Sequence, residues 1–240
     1  MHQIEAAIIL DNESPLFTCK PSTEAIELTT DTELAFYILS CSKSLSSLTS
    51  SMDKARLSIN LLKLEYLDHI AIEDQSKSKY LEMLIENTII RIQSIYDRIL
   101  IFTNRLLDLG ISNESINHNL IVTNSNVIKF DLTDKIKSIN KACYAYKAIR
   151  NTVIHHDRYT EEQLDHLTLT LTADHLSKEI SGKQFAPPEA LKATTQIYLD
   201  AKKEEFTKYL DIIESKLFEF YDRALPVYFH FKERLREKQK

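Results

Sequence analysis

Apolar residues recur along much of the chain at alternating intervals of three and four, which places them on one face of an α-helix. The serine-rich stretch at 40–51 has a low helix propensity, but the spacing continues through it without a break and favours one long helix. The apolar positions of this first series are Leu34, Ile38, Cys41, Leu45, Leu48, Met52, Ala55, Ile59, Leu62 and Tyr66.

Three further helices follow from the same spacing. The second series is followed by Gly110, where a left-handed C-terminal cap is expected. The third helix should start at Thr133 or Asp134, and the last near Pro188, with Pro226 kinking or ending it. The three series are Leu81, Ile85, Thr88, Ile92, Ile95, Ile99, Phe102, Leu106 and Leu109; Ile136, Ile139, Cys143, Tyr146, Arg150 and Val153; and Phe206, Leu210, Ile213, Leu217, Phe220 and Ala224. Helices of this length predict an all-α fold, an antiparallel bundle.

The predicted bundle domain covers residues 31–226, between an irregular N-terminal arm at 1–30 and a polar, basic C-terminal tail at 227–240. Two β-branched runs, at 120–123 and 127–130, flank a short Asn/Ser loop. This pattern predicts a small β-hairpin insertion at about 118–131.

Composition excludes several classes of enzyme. With 2 Gly among 240 residues, the chain cannot form a glycine-rich phosphate loop, a dinucleotide fingerprint or a nucleophile elbow. The net charge of −5 argues against a strongly basic nucleic-acid binder. Three dispersed cysteines, the lack of a signal peptide and the lack of a long apolar run predict a soluble cytoplasmic protein with no membrane segment.

The candidate chemistry lies at the end of the third helix, in the segment Arg-Asn-Thr-Val-Ile-His. Arg150 occupies a heptad position that apolar residues fill elsewhere, and a buried arginine is normally paired or placed in a functional groove. Asn151 and His155 are four residues apart and therefore lie on the same helix face. Arg150, Asn151 and His155 are the predicted catalytic residues.

This motif, Arg-Asn-x-x-x-His near the end of a helix in an all-α bundle, resembles the HEPN domain family. His156 also satisfies the family's Arg-to-His spacing, so either histidine fits the motif. The resemblance implies a homodimer in which two motifs face each other, and a metal-independent endoribonuclease that needs no cofactor. It also implies a toxin–antitoxin, abortive-infection or other defence setting, in which a partner protein could regulate the enzyme.

The residue types suit this chemistry. Cleavage of RNA through the 2′-hydroxyl needs a group that exchanges a proton near neutral pH, which His155 supplies, and a cation on the phosphate, which Arg150 supplies. Some toxins that resemble the family carry a nucleotidylated tyrosine two residues after the histidine. Here that position holds Asp157, with Tyr159 two residues further on, so the sequence does not support this route of regulation.

Other interpretations of the same residues remain open. The motif could shape a groove in a non-catalytic helical interaction or RNA-binding module. Several His and acidic residues at 155–166 could bind a metal, but the sequence lacks the Glu-x-x-His pairs of di-iron bundles, and no metal site is predicted. Arg91, Arg98 and Arg105 repeat every seven residues and could contact an RNA backbone. Pairing with acidic residues of the next helix is the favoured alternative.

Overall fold

All regular structure described here is helical, as the sequence predicts. The computed structural model describes residues 2–18, 28, 30–70, 74–155 and 158–239, in which no strand occurs. The α-helices are α1 (Gln3–Ile9), α2 (Pro15–Thr18), α3 (Glu33–Asn60), α4 (Leu64–Ile70), α5 (Asp74–Leu106), α6 (His118–Val122), α7 (Ser125–Lys129), α8 (Thr133–Ala142), α9 (Lys147–His155), α10 (Glu162–Ser181) and α11 (Pro188–Lys238). Two 3₁₀ segments lie at Asn113–Ser115 and Cys143–Tyr146.

The chain forms two compact units, and each of α3, α5 and α11 contributes to both. The first unit comprises Met1–Met52, Ser94–Cys143 and Ile212–Lys240, and the second comprises Asp53–Gln93 and Tyr144–Asp211. None of the described helices combines the length and the apolar character that crossing a membrane requires.

The core of the first unit is built from the heptad positions of α3, α5 and α11. Phe102 and Phe220 are fully buried, and their rings meet edge-on with centroids 6.2 Å apart. Tyr37 donates its hydroxyl hydrogen to the carbonyl of Leu106 at 2.9 Å, which ties the start of α3 to the end of α5. Cys41 and Cys143 are buried, and no disulfide occurs among the described residues.

The serine-rich part of α3 is helical, and its hydroxyls bond within the helix. Ser44 and Ser51 donate to the carbonyls of Ser40 and Ser47, four residues earlier, each at 2.9 Å. These bonds satisfy the polar side chains without drawing backbone groups out of the helix. The prediction of one long helix here is confirmed, although α3 ends at Asn60 rather than continuing to Tyr66.

In the second unit, aromatic residues of α11 pack against the 3₁₀ segment that precedes α9. The ring of Tyr146 lies 5.6 Å from that of Phe206 and 4.9 Å from that of Tyr209. Gln93 of α5 donates to the hydroxyl of Tyr209 at 2.7 Å. The segment that leads into α9 is therefore packed on the first half of α11.

The predicted β-hairpin at 118–131 is wrong, because this region forms α6 and α7. Asn117 accepts a hydrogen bond from the backbone N–H of Leu120 at 3.0 Å, and Asn124 accepts from that of Asn126 at 2.9 Å. The asparagines thus act as N-caps of short helices rather than as residues of a hairpin loop. The β-branched residues Ile121 and Val127 are fully buried from these helices.

Both end segments contain more helix than the sequence predicted, although residues 19–27 and 29 of the expected arm lie outside the described residues. Within the expected irregular arm, α1 and α2 form, and α1 buries Ile4 and Ile8 completely. His2 accepts from the N–H of Ile4, and Glu5 accepts from that of His2, so a capping box starts α1. At the other end α11 passes through Pro226 and continues to Lys238, so residues 227–238 extend the last helix and do not form a separate tail.

Candidate functional site

Helix α9 carries the predicted motif and presents it to solvent. None of its residues is buried: Arg150 is half-buried, and Asn151 and His155 are exposed. Arg150 Nη1 donates a hydrogen bond to Asn151 Oδ1 at 3.2 Å, so the first two motif side chains are in direct contact. His155 is the last residue of α9, one helical turn beyond Asn151. His156 lies outside the described residues.

The prediction that Arg150 continues the buried heptad positions of the third helix is wrong. Cys143 and Tyr146 are buried as expected, but they form a 3₁₀ segment between α8 and α9. A 3₁₀ turn rotates the chain by about 120° per residue instead of about 100°, which changes which face of the following helix points inward. Arg150 is therefore at the surface, accessible to a ligand.

A network of polar groups around the buried Lys202 of α11 contacts both flanks of α9. Lys202 is 4% exposed, and its ammonium group contacts Glu161 Oε1 and Glu205 Oε2, both at 2.7 Å. We call this group the Lys202 network. Its members are Lys202, Glu161, Glu205, Tyr146, Tyr159 and Tyr198.

The network joins the residue before α9 to the segment after it. Tyr146, immediately before the helix, donates its hydroxyl hydrogen to Glu205. Beyond the helix, Glu161 accepts hydrogen bonds from Tyr198 at 2.8 Å and from Tyr159 at 3.3 Å. Because Lys202 contacts both carboxylates, the two flanks of α9 are connected through one ammonium group.

Helix α5 fastens the same segment from another direction. The backbone N–H of Tyr159 donates to Glu86 at 2.8 Å. Arg158 forms ion pairs with Glu82 at 3.4 Å and with Asp165 at 3.3 Å. Specific polar contacts therefore fix the segment that follows the exposed motif.

Two tyrosines of the network, Tyr159 and Tyr198, are held in their neutral form. Burial and the neighbouring Glu161 raise the pKa values of Tyr159 and Tyr198 well above their ordinary range. Tyr159 is only 5% exposed, and its hydroxyl already donates to Glu161 and accepts from Lys202. Tyr159 is thus a structural donor and not an accessible acceptor for a modifying group. Asp157, the other position considered for such regulation, lies outside the described residues.

Lys202 is the residue of this site that sequence reasoning missed, although a signal for it exists. Leu199, Lys202 and Phe206 follow the same alternation of three and four as the apolar residues of α11, and all three are buried. A lysine at such a position indicates a buried charge that needs partners. The identity of those partners follows only from the packing of 159–161 on α11.

The heptad arginines of α5 lie in different surroundings. Arg91 Nε donates to Asn87 Oδ1 at 3.2 Å, and Arg105 Nη2 donates to Asn113 Oδ1 at 3.0 Å. Arg98 and Arg105 line a surface groove together with Lys43 of α3. Among the described residues, neither Arg98 nor Arg105 forms an ion pair, and Arg105 contacts the uncharged Asn113 instead. No group of three or more His, Cys, Asp or Glu side chains in the described ranges could hold a metal ion.

Comparison with known proteins gives a family match over most of the chain. The model of the HEPN_Cthe2314-like HEPN family matches residues 37–223, which is more than half of the chain and includes the whole of α9. Searches of curated proteins and of solved structures found no match.

Proposed function

The chain belongs to the HEPN_Cthe2314-like HEPN family, and on this premise we propose that it is a metal-independent endoribonuclease whose active site includes Arg150, Asn151 and His155. One observation carries the proposal: a single solvent-accessible helix presents all three side chains, with Arg150 in contact with Asn151. The toxin or defence role is proposed from the family alone.

Each motif residue has a defined task in this reaction. His155 would accept a proton from the 2′-hydroxyl or donate one to the leaving oxygen, since imidazole exchanges protons near neutral pH. Arg150 would bind the scissile phosphate through its planar fork and stabilise the charge that develops on it. Asn151, which accepts a hydrogen bond from Arg150 Nη1, would hold the guanidinium in place.

A second copy of the chain would complete the site. No residue of α9 is buried, and Ile154 on this helix is 43% exposed. Tyr144, in the 3₁₀ segment before it, is 69% exposed. Apolar side chains beside a polar motif favour a protein contact at this surface. We propose that two α9 helices face each other across a homodimer interface.

The test is cleavage of RNA by the purified wild-type protein and by His155→Ala, with EDTA present and folding verified by circular dichroism. We expect the variant to lose about 10²- to 10⁴-fold in rate, the usual contribution of general acid–base catalysis. His166→Ala provides the matched control, because His166 is an exposed histidine of the neighbouring α10 and should retain full activity. His156→Ala, assayed in parallel, decides which histidine belongs to the motif.

Sedimentation velocity completes the test. Activity should fall with dilution as the dimer dissociates, because each site needs both copies. An unaffected His155→Ala and an unaffected His156→Ala would refute the catalytic assignment. No cleavage of several RNAs by the wild type would instead favour the non-catalytic interaction module.

A further inference from the structure

A groove in the first unit gathers three cations without a neutralising carboxylate. It lies on α3 and α5 and has a volume of about 330 Å³. Its positive charges are Lys43, Arg98 and Arg105. The remaining lining residues are Phe36, Ser40, Ser44, Ser47, Ile101 and Asn113.

The charge of this groove is opposite to that of the whole chain. The protein carries a net charge of −5, yet none of the described residues that line the groove is Asp or Glu. In the described parts of the chain Lys43 and Arg98 form no ion pair, and Arg105 bonds to Asn113, which is uncharged. Cations placed together in this way repel one another and raise the local concentration of anions.

The remaining side chains suit a nucleotide chain better than a simple anion. Ser40 and Ser47 offer hydroxyls, and Asn113 an amide, to phosphate and sugar oxygens. Phe36 is 56% exposed on the groove wall, where its ring can stack on a base. Basic side chains beside an accessible aromatic ring are the features that bind single-stranded nucleic acid without sequence preference.

We propose that this groove binds the backbone of single-stranded RNA, with Lys43, Arg98 and Arg105 on phosphates and Phe36 stacked on a base. The groove would bind the class of substrate that the proposed nuclease cleaves, and so extends the proposed function. Binding here does not depend on cleavage: substitutions in the groove should lower RNA affinity even in a protein that carries His155→Ala. If the protein proves not to cleave RNA, the groove can still bind it. If the groove proves not to bind RNA, the motif can still cleave it.

The experiment measures affinity for a labelled oligouridine of about 12 nucleotides, a length within the range that such grooves accommodate. All proteins carry His155→Ala so that the RNA stays intact. The groove variant combines Lys43→Gln, Arg98→Gln and Arg105→Gln. A control of equal charge change combines Lys137→Gln, Lys183→Gln and Lys208→Gln, which are exposed lysines elsewhere on the chain.

We expect the groove variant to bind at least about tenfold more weakly, and the control to bind almost normally. In a salt series the slope of log affinity against log salt should fall by about 0.7 for each lost phosphate contact, or about 2 for the triple variant. Phe36→Ala should weaken binding by about fivefold or more with no change of slope, because stacking releases no counterions.

Three outcomes would overturn the proposal: equal losses in the groove variant and the control, an unchanged slope, or tripolyphosphate binding as tightly as the RNA. Equal binding of DNA of the same base composition would support a backbone contact, since phosphates are common to both. Circular dichroism of each variant, compared with the parent, shows that the losses do not come from unfolding.

Discussion

Helix α11 buries two lysines that hold different parts of the chain. One holds the segments on either side of the candidate active site, and the other holds a segment that serves the fold alone. Lys202 and Lys232 are 4% and 8% exposed, and each lies between two carboxylates. Lys232 contacts Asp11 at 2.6 Å and Glu13 at 2.7 Å, much as Lys202 contacts Glu161 and Glu205.

The partners of the second lysine form what we call the Lys232 network. Tyr228 donates to Asp11 at 2.7 Å, as Tyr198 donates to Glu161 in the Lys202 network. Its members are Lys232, Asp11, Glu13, Tyr228 and Arg236. Burial lowers the pKa of Lys232, but hydrogen bonds to its two carboxylates outweigh this effect and raise it.

The two networks are alike in chemistry and differ in the segment they hold. Asp11 and Glu13 come from the chain between α1 and α2, so the Lys232 network attaches the N-terminus to the end of α11. Glu161 follows α9. Glu205 accepts a hydrogen bond from the hydroxyl of Tyr146, and Tyr146 precedes α9. Comparable changes in the two networks should therefore cost similar stability, while only those near α9 should change RNA cleavage.

The largest effects are expected from Lys202→Met and Lys232→Met. Removing the buried ammonium leaves its carboxylates without their cation. Each change should lower the free energy of unfolding by about 2–3 kcal/mol, below the value for a fully buried pair, because Glu161, Glu205 and Glu13 are partly exposed. Urea unfolding measures this loss. Under conditions in which both variants stay folded, Lys202→Met should slow single-turnover RNA cleavage by about ten- to a hundredfold, because misplaced catalytic groups lose rate steeply. Lys232→Met should cleave at the wild-type rate.

Equal cleavage rates in the two lysine variants would contradict a positioning role for the Lys202 network. If Lys202→Met proves too unstable to assay, Glu161→Gln is the milder substitute, because the amide oxygen still accepts from Tyr198 and Tyr159. Its partner in the comparison is Asp11→Asn. For a given loss of stability, Glu161→Gln should slow RNA cleavage more than Asp11→Asn does.

The tyrosine pair should give the next largest effect. Tyr198→Phe and Tyr228→Phe each remove one hydroxyl donor to a carboxylate, at 2.8 and 2.7 Å. We expect each to cost about 1–2 kcal/mol of stability, because hydrogen bonds to charged groups are stronger than neutral ones and the lysine partner remains. Thermal melts test this cost. Cleavage should slow only in Tyr198→Phe, and a slower Tyr228→Phe would show that the contrast between the networks is false.

The sequence contains most of the helical framework because helix burial follows a regular spacing. The predicted heptad residues Leu45, Leu48, Ile92, Ile95 and Ile99 are all fully buried. A left-handed cap after the second helix was also predicted, and it occurs at Asp108, with φ of 47°, two residues before the predicted Gly110. Such features depend on neighbours within one element, so a single sequence carries them.

The errors arise where tertiary packing outweighs a local signal. Pro226 costs about 3 kcal/mol inside a helix, yet α11 continues through it. Beyond it Tyr228 and Phe231 are buried, and burial of each contributes about 1.5–3 kcal/mol, which offsets that cost. For the candidate site, the motif could be identified from the sequence. The 3₁₀ segment that turns Arg150 outward and the carboxylates around Lys202 depend on contacts between distant parts of the chain.

The smallest expected effect is the pH dependence of the stability that Glu13 contributes to the Lys232 network. Arg236 and Lys232 lower the pKa of Glu13 from 4.5 to about 2, so the folded protein favours its ionised form. The stability that Glu13 contributes is therefore present above pH 4.5 and is lost as the pH falls towards 2. Because 39% of this side chain is exposed, we expect only about 1 kcal/mol.

Glu13→Gln should accordingly be less stable than the wild type near neutral pH, and the gap should close on acidification. Urea unfolding at about pH 6 and about pH 3 measures both differences. RNA cleavage at neutral pH should not change, because Glu13 contacts Lys232 and Arg236 and none of the residues around α9. A gap that stayed constant with pH would show that Glu13 contributes by packing rather than by charge. Slower cleavage would show that the Lys232 network also supports the motif.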